Sequence, residues 1–570
     1  MKNKFALLAL ITGCILNAAP SAGSSSKNVF DSWRYAAESL HKIPEAITVR
    51  GNTVTLKSVS PKEQLFFRPG NALKVTRNDQ VEIKFTASGK GSIKVGFYAY
   101  VRGFSFCGSA LKVFQVSAGR KTETIHLNVP ANATIVRPVI MVMPGSSVTF
   151  FEHSIKVLLH ANPQLNIVST LSKETAVYKK NEKAVFTVTV RNGYHPVKTG
   201  KAVIRVFHDG FERRKLHFDL SEKNPFQVEF TSDKPGFVEL FCDVYHIPGK
   251  KDRKRLAVGC AGFSPEQIRI GAEPPADLLT YWKGEYAKLC REVPPDFKLS
   301  KVRESASHID YKLTCSNFGG TKTYATLTIP RRKGPLPMFF NVPPASPIVY
   351  GFHRRPDAIC LCISVHDTDS YTSFKAYQAD MRKNSWYFYR TGNTRSSYYY
   401  YKSILGVMRM MEYAMTHIKE WDGKYLAAGG RSQGGGFAMI MAALNPRIQA
   451  VYADVPALCD HNAGRAGRVA GWPQLSANPR GKKLPPEDAM YYDAAAFAAF
   501  VKCPAVVSVG FEDTMCYPSS VYAAYNNLKG PKQIIHCVRY GHGWGERGPE
   551  FEKAAWKLIH NTLCGKQNFK

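Results

Sequence analysis

The residues Gly430-Arg431-Ser432-Gln433-Gly434 set one serine between glycines two before and two after it, inside a run from Leu426 to Leu444 that holds five glycines. Three kinds of chemistry use glycine at that density: phosphate cradling, close helix packing and exposure of a nucleophile. A P-loop needs a lysine beside Ser or Thr after its last glycine, and here Gly434 to Gly436 run into Phe437. A dinucleotide-binding turn needs G-x-G-x-x-G, which no register of this stretch supplies. Helix packing accounts for one or two glycines but not for five gathered at the end of an apolar run. What remains is a nucleophile elbow, in which Ser432 rides a sharp strand-to-helix turn and small neighbours avoid clashes. The helix that follows points its positive end at developing negative charge.

A serine at neutral pH needs a base, and the base needs an orienting acid. The predicted acid is Asp513, three residues past Gly510 and the apolar run "CPAVVSVG", with Glu512 as the alternative. The predicted base is His542, between Gly541 and Gly543 and after the run "IIHCV"; His536, inside that run, reads as a hydrogen-bonded structural residue. Serine, acid and histidine in that chain order, each past an apolar run, are the arrangement of α/β-hydrolases.

Such groups need a sheet to hold them. After residue 265, short apolar runs ("PMFFNV", "AICLCISV", "YLAAGG", "AVYADV", "AVVSVG", "IIHCV") alternate with helical stretches such as "ILGVMRMMEYAMTHI" and an amphipathic helix from Leu278 to Leu289. Runs apolar on both faces and separated by helices predict a largely parallel sheet with ligands at its carboxyl end. The expected architecture is therefore multidomain, with two N-terminal β-sandwich domains before a C-terminal α/β-hydrolase domain over 265–570. Residues 28–160 alternate apolar and polar, with "SGKG" (Ser88 to Gly91) read as a turn, and predict a jelly-roll sandwich of carbohydrate-binding type. Trp33, Tyr98, Tyr100 and Phe104 there form either a sugar-stacking platform or ordinary core. Residues 162–264 carry strands at immunoglobulin-like spacing and predict a spacer or a wall beside the site.

At 570 residues, 44% hydrophobic and 12% aromatic, the chain is ordinary folded protein of several domains. Residues 1–22 have lysines, an apolar core from Phe5 to Leu16 and small residues near Ala19 to Ala22, the layout of a secretory signal. A secreted or periplasmic protein is expected; lipid attachment at Cys14 is the alternative. No later segment is apolar and long enough to span a bilayer. Thirteen cysteines, mostly in apolar surroundings and with no C-x-x-C pair, read as buried thiols rather than disulfides or a zinc site. The formal charge of +33 is dispersed, without a nucleic-acid motif. It suits attraction to an anionic polysaccharide or reflects a generally basic surface. "PGKKDRKR" (Pro248 to Arg255) reads as a solvated hairpin tip.

Several longer stretches, "WDGKYLAAGGRSQGGG", "ALNPRIQAVYADVPALCDH", "AGWPQL", "VKCPAVVSVGFEDTMCYPSSVYAAYN" and "RYGHGW", carry a family resemblance across most of the last 300 residues. This region resembles the acetyl xylan esterase and cephalosporin-C deacetylase family of α/β-hydrolases. The resemblance implies a serine esterase that removes acetyl groups from sugars, with its triad on Ser432, Asp513 and His542. It departs at the oxyanion loop, where "VPPAS" (Val342 to Ser346) replaces the family's usual glycines. Pro343 and Pro344 have no N–H to donate. The expected oxyanion donors are therefore the backbone amides of Ala345 and Gln433. "SVHDTDSY" stands near the place of the family's R-G-Q motif, and its His366 and Asp367 either line the pocket or shape the loop. No metal or organic cofactor is expected. The rival readings are a peptidase or lipase on the same fold, and an inactive carbohydrate-binding protein; the blade repeats of a propeller-bearing peptidase are not found.

Overall fold

The computed structural model describes the chain except residues 1–33, 36–46, 51–52, 59–64, 69–72, 76–78, 101–105, 131–132, 159–164, 193–194, 248–253, 346–351, 370–378, 380–386, 391, 478–482, 543–548 and 567–570. The expected leader, Cys14, Trp33 and Phe104 therefore lie outside the described residues.

A nine-stranded sheet carries the C-terminal half. Its strands are β1 (Lys298–Glu304), β2 (His308–Ser316), β3 (Lys322–Pro330), β4 (Leu336–Asn341), β5 (Ile359–Ile363), β6 (Trp421–Arg431), β7 (Ala450–Asp454), β8 (Ala505–Gly510) and β9 (Lys532–Cys537). They lie in the order β1-β2-β3-β5-β4-β6-β7-β8-β9. The pairs from β5 through β9 are parallel, and β1 to β3 form an antiparallel flap that joins β5. Strands β5 and β8 are buried at every position, as strands covered on both faces must be.

Alternate side chains of each strand feed different cores. Met338 and Phe340 of β4 and Leu361 of β5 pack with helices α1 (Leu278–Glu292), α2 (Tyr399–His417) and α3 (Gln433–Leu444). Phe339, Cys360, Ala427 and Val506 pack on the other face against α5 (Pro549–Leu563), whose Phe551, Leu558 and Ile559 are buried there. Helix α4 (Pro518–Asn527) follows β8. Among the described residues no helix is long and apolar enough to cross a membrane.

The N-terminal half is built of strands in three sheets. The first differs from expectation at "SGKG". Instead of turning there, one strand runs from Gln80 to Tyr100. Up to Ala87 it pairs with Lys121–Asn128 and up to Lys90 with Ser147–Leu158; beyond that it pairs with Phe106–Val116 and Ile135–Val142. Gly89 and Gly91 let it change partners without stopping. A Cβ on Gly89 would lie 2.1 Å from the Ser147 carbonyl oxygen, and Gly91 has a φ of 97°. Tyr100 is buried at the end of this strand, with the Arg137 guanidinium 5.5 Å from its ring centroid, so it belongs to the interior rather than to an open platform.

The next two sheets have four and five strands, and their inner side chains share one core that includes Phe186, Val188, Ile204, Val206 and Leu240. The strands Gly236–Tyr245 and Lys254–Phe263 pair antiparallel, the second taking in Lys254 and Arg255, while the rest of "PGKKDRKR" lies outside the described residues. This unit is no loose spacer. Ala176, Phe237 and Cys260 belong to the same apolar core as the sheet of the C-terminal half. Phe237 packs edge-on against Phe511, centroids 5.1 Å apart, and 5.6 Å from Tyr522 of α4. Phe511 stands two residues before Asp513, so the segment presses on the base of that loop.

A buried phenylalanine truncated to alanine costs about 3–5 kcal/mol. Phe237→Ala is expected to lower the urea midpoint accordingly at an unchanged m value. A change of less than about 1 kcal/mol would mean that the seam is not a packed core.

Candidate active site

Strand β6 ends at Arg431 and α3 begins at Gln433, so Ser432 alone makes the turn. Its φ of 52° and ψ of −120° put a residue with a side chain in backbone space that costs of order 1–3 kcal/mol. The flanking glycines make this possible. A Cβ on Gly430 would lie 2.4 Å from the Gly434 carbonyl carbon, and one on Gly434 would lie 1.9 Å from the Val342 oxygen. The second contact also seats the "VPPAS" loop directly on the elbow.

Asp513 and His542 lie in the loops that follow β8 and β9. Asp513 is fully buried, and its Oδ1 accepts from the amides of Met515 (2.8 Å) and Cys516 (2.9 Å). Its Oδ2 accepts from His542 Nδ1 at 2.7 Å. A carboxylate can only accept, so the ring proton sits on Nδ1 and leaves Nε2 as an acceptor. The Ser432 hydroxyl donates to Nε2 at 2.9 Å. Three residues 110 positions apart in sequence at their widest thus form one hydrogen-bonded chain. The backbone amide of Glu512, the alternative acid, donates to the Tyr540 carbonyl at 3.0 Å, while the contact to the histidine is made by Asp513. His536 meets the Tyr522 hydroxyl at 2.5 Å.

Gln433 follows the serine as the first residue of α3, where backbone N–H groups lack partners within the helix. Its side chain is fully buried and locks the site together. The Oε1 accepts from the hydroxyls of Tyr387 and, at 2.6 Å, Tyr400. The Nε2 donates to the Pro343 carbonyl at 3.2 Å. Ala345, two residues on from Pro343, is half-buried.

His366 is buried, with Nδ1 2.7 Å from the Tyr399 hydroxyl and its ring edge-on to Tyr387. Burial pushes its pKa down to about 4. Asp367 is exposed and accepts from the Lys322 amide at 2.8 Å. Both shape their loop.

Two features escaped the sequence reading. Arg431, the variable residue of G-x-S-x-G, is buried and pairs with Asp454 at 3.3 Å, while its other terminal nitrogen donates to the His542 carbonyl. Asp454 is itself held by the Ser508 hydroxyl at 2.6 Å. The serine's own neighbour therefore anchors the histidine loop. The second feature is Glu239, buried on the strand Gly236–Tyr245 beneath the acid loop. Burial, followed by the charges of Asp209, Asp513 and Glu512, raises its pKa to about 8. The clue to Arg431 was a cation in an otherwise small and apolar run; nothing marked Glu239.

The twelve described cysteines are free thiols, eight of them buried. Cys516 contributes to a group with Asp513 and His542 whose ligand atoms lie within 4.8 Å of one another. The set fits a metal poorly. Asp513 spends both oxygens on three hydrogen bonds, and burial holds the Cys516 thiol well above its usual pKa.

The family model of the acetyl xylan esterases (AXE1) matches residues 266–560, the part that builds this site. The chain belongs to the acetyl xylan esterase family. Family membership makes it a carbohydrate esterase of the acetyl xylan esterase type. An acetyl esterase of Xylanibacter ruminicola, Axe7A, is 27% identical over 319 residues, 54% of this chain and 70% of that protein. Among solved structures, the acetyl xylan esterase from Paenibacillus sp. R4 has 22% identity and a TM-score of 0.41, covering 52% of this chain and 98% of that one. Acetyl xylan esterase 1 from a Thermoanaerobacterium species has 19% identity and a TM-score of 0.39, covering 52% and 96%.

Lysine at position 431 keeps the charge but cannot span both Asp454 and the His542 carbonyl. Arg431→Lys is expected to lower kcat about 10- to 100-fold with KM within about threefold, the scale of a misplaced catalytic group. Equal kcat in steady-state assays would remove Arg431 from the account. For Glu239, the native pKa near 8 lies above its ordinary 4.5. Its effect is nil below pH 4.5, and stability is lost as pH rises from there to about 8, because only the unfolded chain releases the proton. Glu239→Gln should therefore be the more stable protein above pH 5, with the gap widening to pH 8 in thermal melts. A constant gap would contradict the burial argument.

Proposed function

We propose that this esterase removes O-acetyl groups from polysaccharide or oligosaccharide through an acyl-serine intermediate. The observation that carries the reading is the continuous hydrogen-bonded chain from Asp513 through His542 to Ser432 at the elbow. Ser432 Oγ attacks the acetyl carbonyl carbon while His542 Nε2 takes the hydroxyl proton. Asp513 holds the imidazole by Nδ1 and stabilises its protonated form. The carbonyl oxygen, now negative, is bound by the backbone amides of Gln433 and Ala345, each donor contributing about 3 kcal/mol to such transition states. The Pro343 bond to the Gln433 side chain fixes that loop against the helix. As the tetrahedral intermediate collapses, His542 returns the proton to the departing sugar oxygen. A water activated by the same histidine then releases acetate and regenerates the serine.

The family's description and the name of one relative, an acetyl esterase, support an acetylated xylan-type substrate. The layout of residues 1–22 supports export as a secreted or periplasmic enzyme. The strand-built segments 28–160 and 162–264 are read as a jelly-roll sandwich of carbohydrate-binding type and an immunoglobulin-like sandwich, placed before a catalytic unit over 265–570.

Ser432→Ala is expected to abolish acetate release from both p-nitrophenyl acetate and acetylated xylan, by a factor of about 10³ or more. The assay is acetate formation by the purified full chain. Activity that survives the substitution would sink the mechanism, and peptide cleavage without acetate release would favour the peptidase reading.

A further inference from the structure

The second β unit meets the hydrolase sheet at the end where the candidate site lies. Its strands Lys201–His208 and Phe211–Asp219 are joined by a two-residue turn, Asp209-Gly210, with φ values of 49° and 85°. Both residues are in the left-handed region, as the tight hairpins that suit twisted strands require. This tip is clamped. The Asp209 carbonyl accepts from the Val469 amide at 3.0 Å. A Cβ on Gly210 would lie 2.5 Å from Val469 Cγ2 and 3.1 Å from Tyr517 Cε1. Val469 belongs to the long connection after β7, and Tyr517 ends the loop after β8 that carries Asp513. Ligands of such sheets bind at these carboxyl ends.

Directly after the clamped tip, Phe211 leaves 43% of its surface exposed. Met515, two residues from both Asp513 and Tyr517, leaves 48%. Only four large apolar side chains among the described residues are exposed to that degree, and these two both belong to segments that meet at this seam. The register between the two hairpin strands shifts there. Phe207 faces Glu212 and Val206 faces Arg214, so Arg213 is the extra residue of a bulge. Bulges re-aim side chains, and this one leaves the Arg213 guanidinium 5.6 Å from the centroid of the Phe211 ring. Lys234 stands on the neighbouring turn and Arg465 in the exposed connection before Val469. Among the described residues none of these three cations has a carboxylate within ion-pair distance, although their neighbours Arg205, Lys215 and Arg468 do. Asp233 is the single exposed acid on that turn.

We propose that Phe211, Arg213 and Met515 form a subsite that holds the chain of a carboxylate-bearing glycan beside the esterase site. The apolar face of a sugar ring packs on Phe211 and Met515, and the Arg213 guanidinium forks onto a uronate carboxylate, a geometry that lysine does not reproduce. An exposed ring with an unpaired guanidinium beside it suits this ligand better than a neutral glycan, for which the cations would have no partner. The inference deepens the deacetylase reading and rests on it for the bond that is cleaved. It also gives the second β unit a part in substrate choice.

The test uses full-length wild type, Phe211→Ala and Arg213→Gln on three substrates. These are acetylated glucuronoxylan, the same polymer with its uronate carboxyls reduced to alcohols, and p-nitrophenyl acetate. Loss of a central contact residue predicts a fall of about tenfold in kcat/KM on the acidic polymer, carried by KM, for both variants. On p-nitrophenyl acetate both should stay within about twofold of wild type. On the reduced polymer Phe211→Ala should keep its deficit and Arg213→Gln should lose it. Variants that match wild type on the acidic polymer, or that lose p-nitrophenyl acetate turnover in the same proportion, would overturn the subsite. An equal Arg213→Gln deficit on both polymers would overturn the carboxylate. Calorimetric binding of the acidic polymer to Ser432→Ala protein, with and without Phe211→Ala, separates this idea from the deacetylase reading. Weakened binding in a protein whose wild type releases no acetate would sink the reaction and keep the subsite.

Discussion

The arrangement depends on one backbone constraint, the positive φ of Ser432. A residue with a Cβ is held where only a glycine is at ease, and it stays there because its surroundings leave no alternative. Gly430 and Gly434 touch across the turn, Val342 closes over Gly434, and the Ser432 carbonyl accepts from the amides of Gly436 and Ala457. Any one of these contacts is small. Together they outweigh a strain of a few kcal/mol and hold the backbone where the hydroxyl meets His542 Nε2 at 2.9 Å.

The groups around the elbow are held from both of its neighbours. Gln433 ties Tyr387 and Tyr400 to the Pro343 carbonyl, which steadies the loop expected to bind the oxyanion. Arg431 ties Asp454 of β7 to the carbonyl of His542. The candidate nucleophile, the His542 loop and the proposed oxyanion loop are thereby referred to one short segment, residues 431–433, instead of to three separate scaffolds. The acid loop has a different support. It rests on Phe237 of the second β unit, so the position of the Asp513 loop depends in part on a segment outside the hydrolase sheet.

Much of the C-terminal half was legible because its strands are short, apolar on both sides and spaced by helices. Ser432, Asp513 and His542 could be singled out because each follows such a run. The antiparallel strands β1 to β3 were not, since β1, "KLSKVRE", is exposed along nearly its whole length and leaves no alternation to read. "SGKG" looked like a turn because glycines usually end strands; only the partner at Ser147 explains why they continue this one. The roles of Arg431 and of the Gln433 side chain depend on carbonyls 111 and 90 residues away, which no local pattern encodes. Tyr100 stayed open between platform and core for the same reason: an aromatic near a strand end reads alike whether solvent or Arg137 covers it.

The central claim is that one serine, and no other nucleophile, carries the acyl group. Reaction of the full-length protein with an organophosphate ester, followed by peptide mass spectrometry, tests it most directly. The account predicts a single phosphoryl adduct on the peptide at Ser432, formed in step with loss of esterase activity and absent from Ser432→Ala protein. An adduct on another residue that tracks the loss of activity, or full activity with Ser432 blocked, would contradict it.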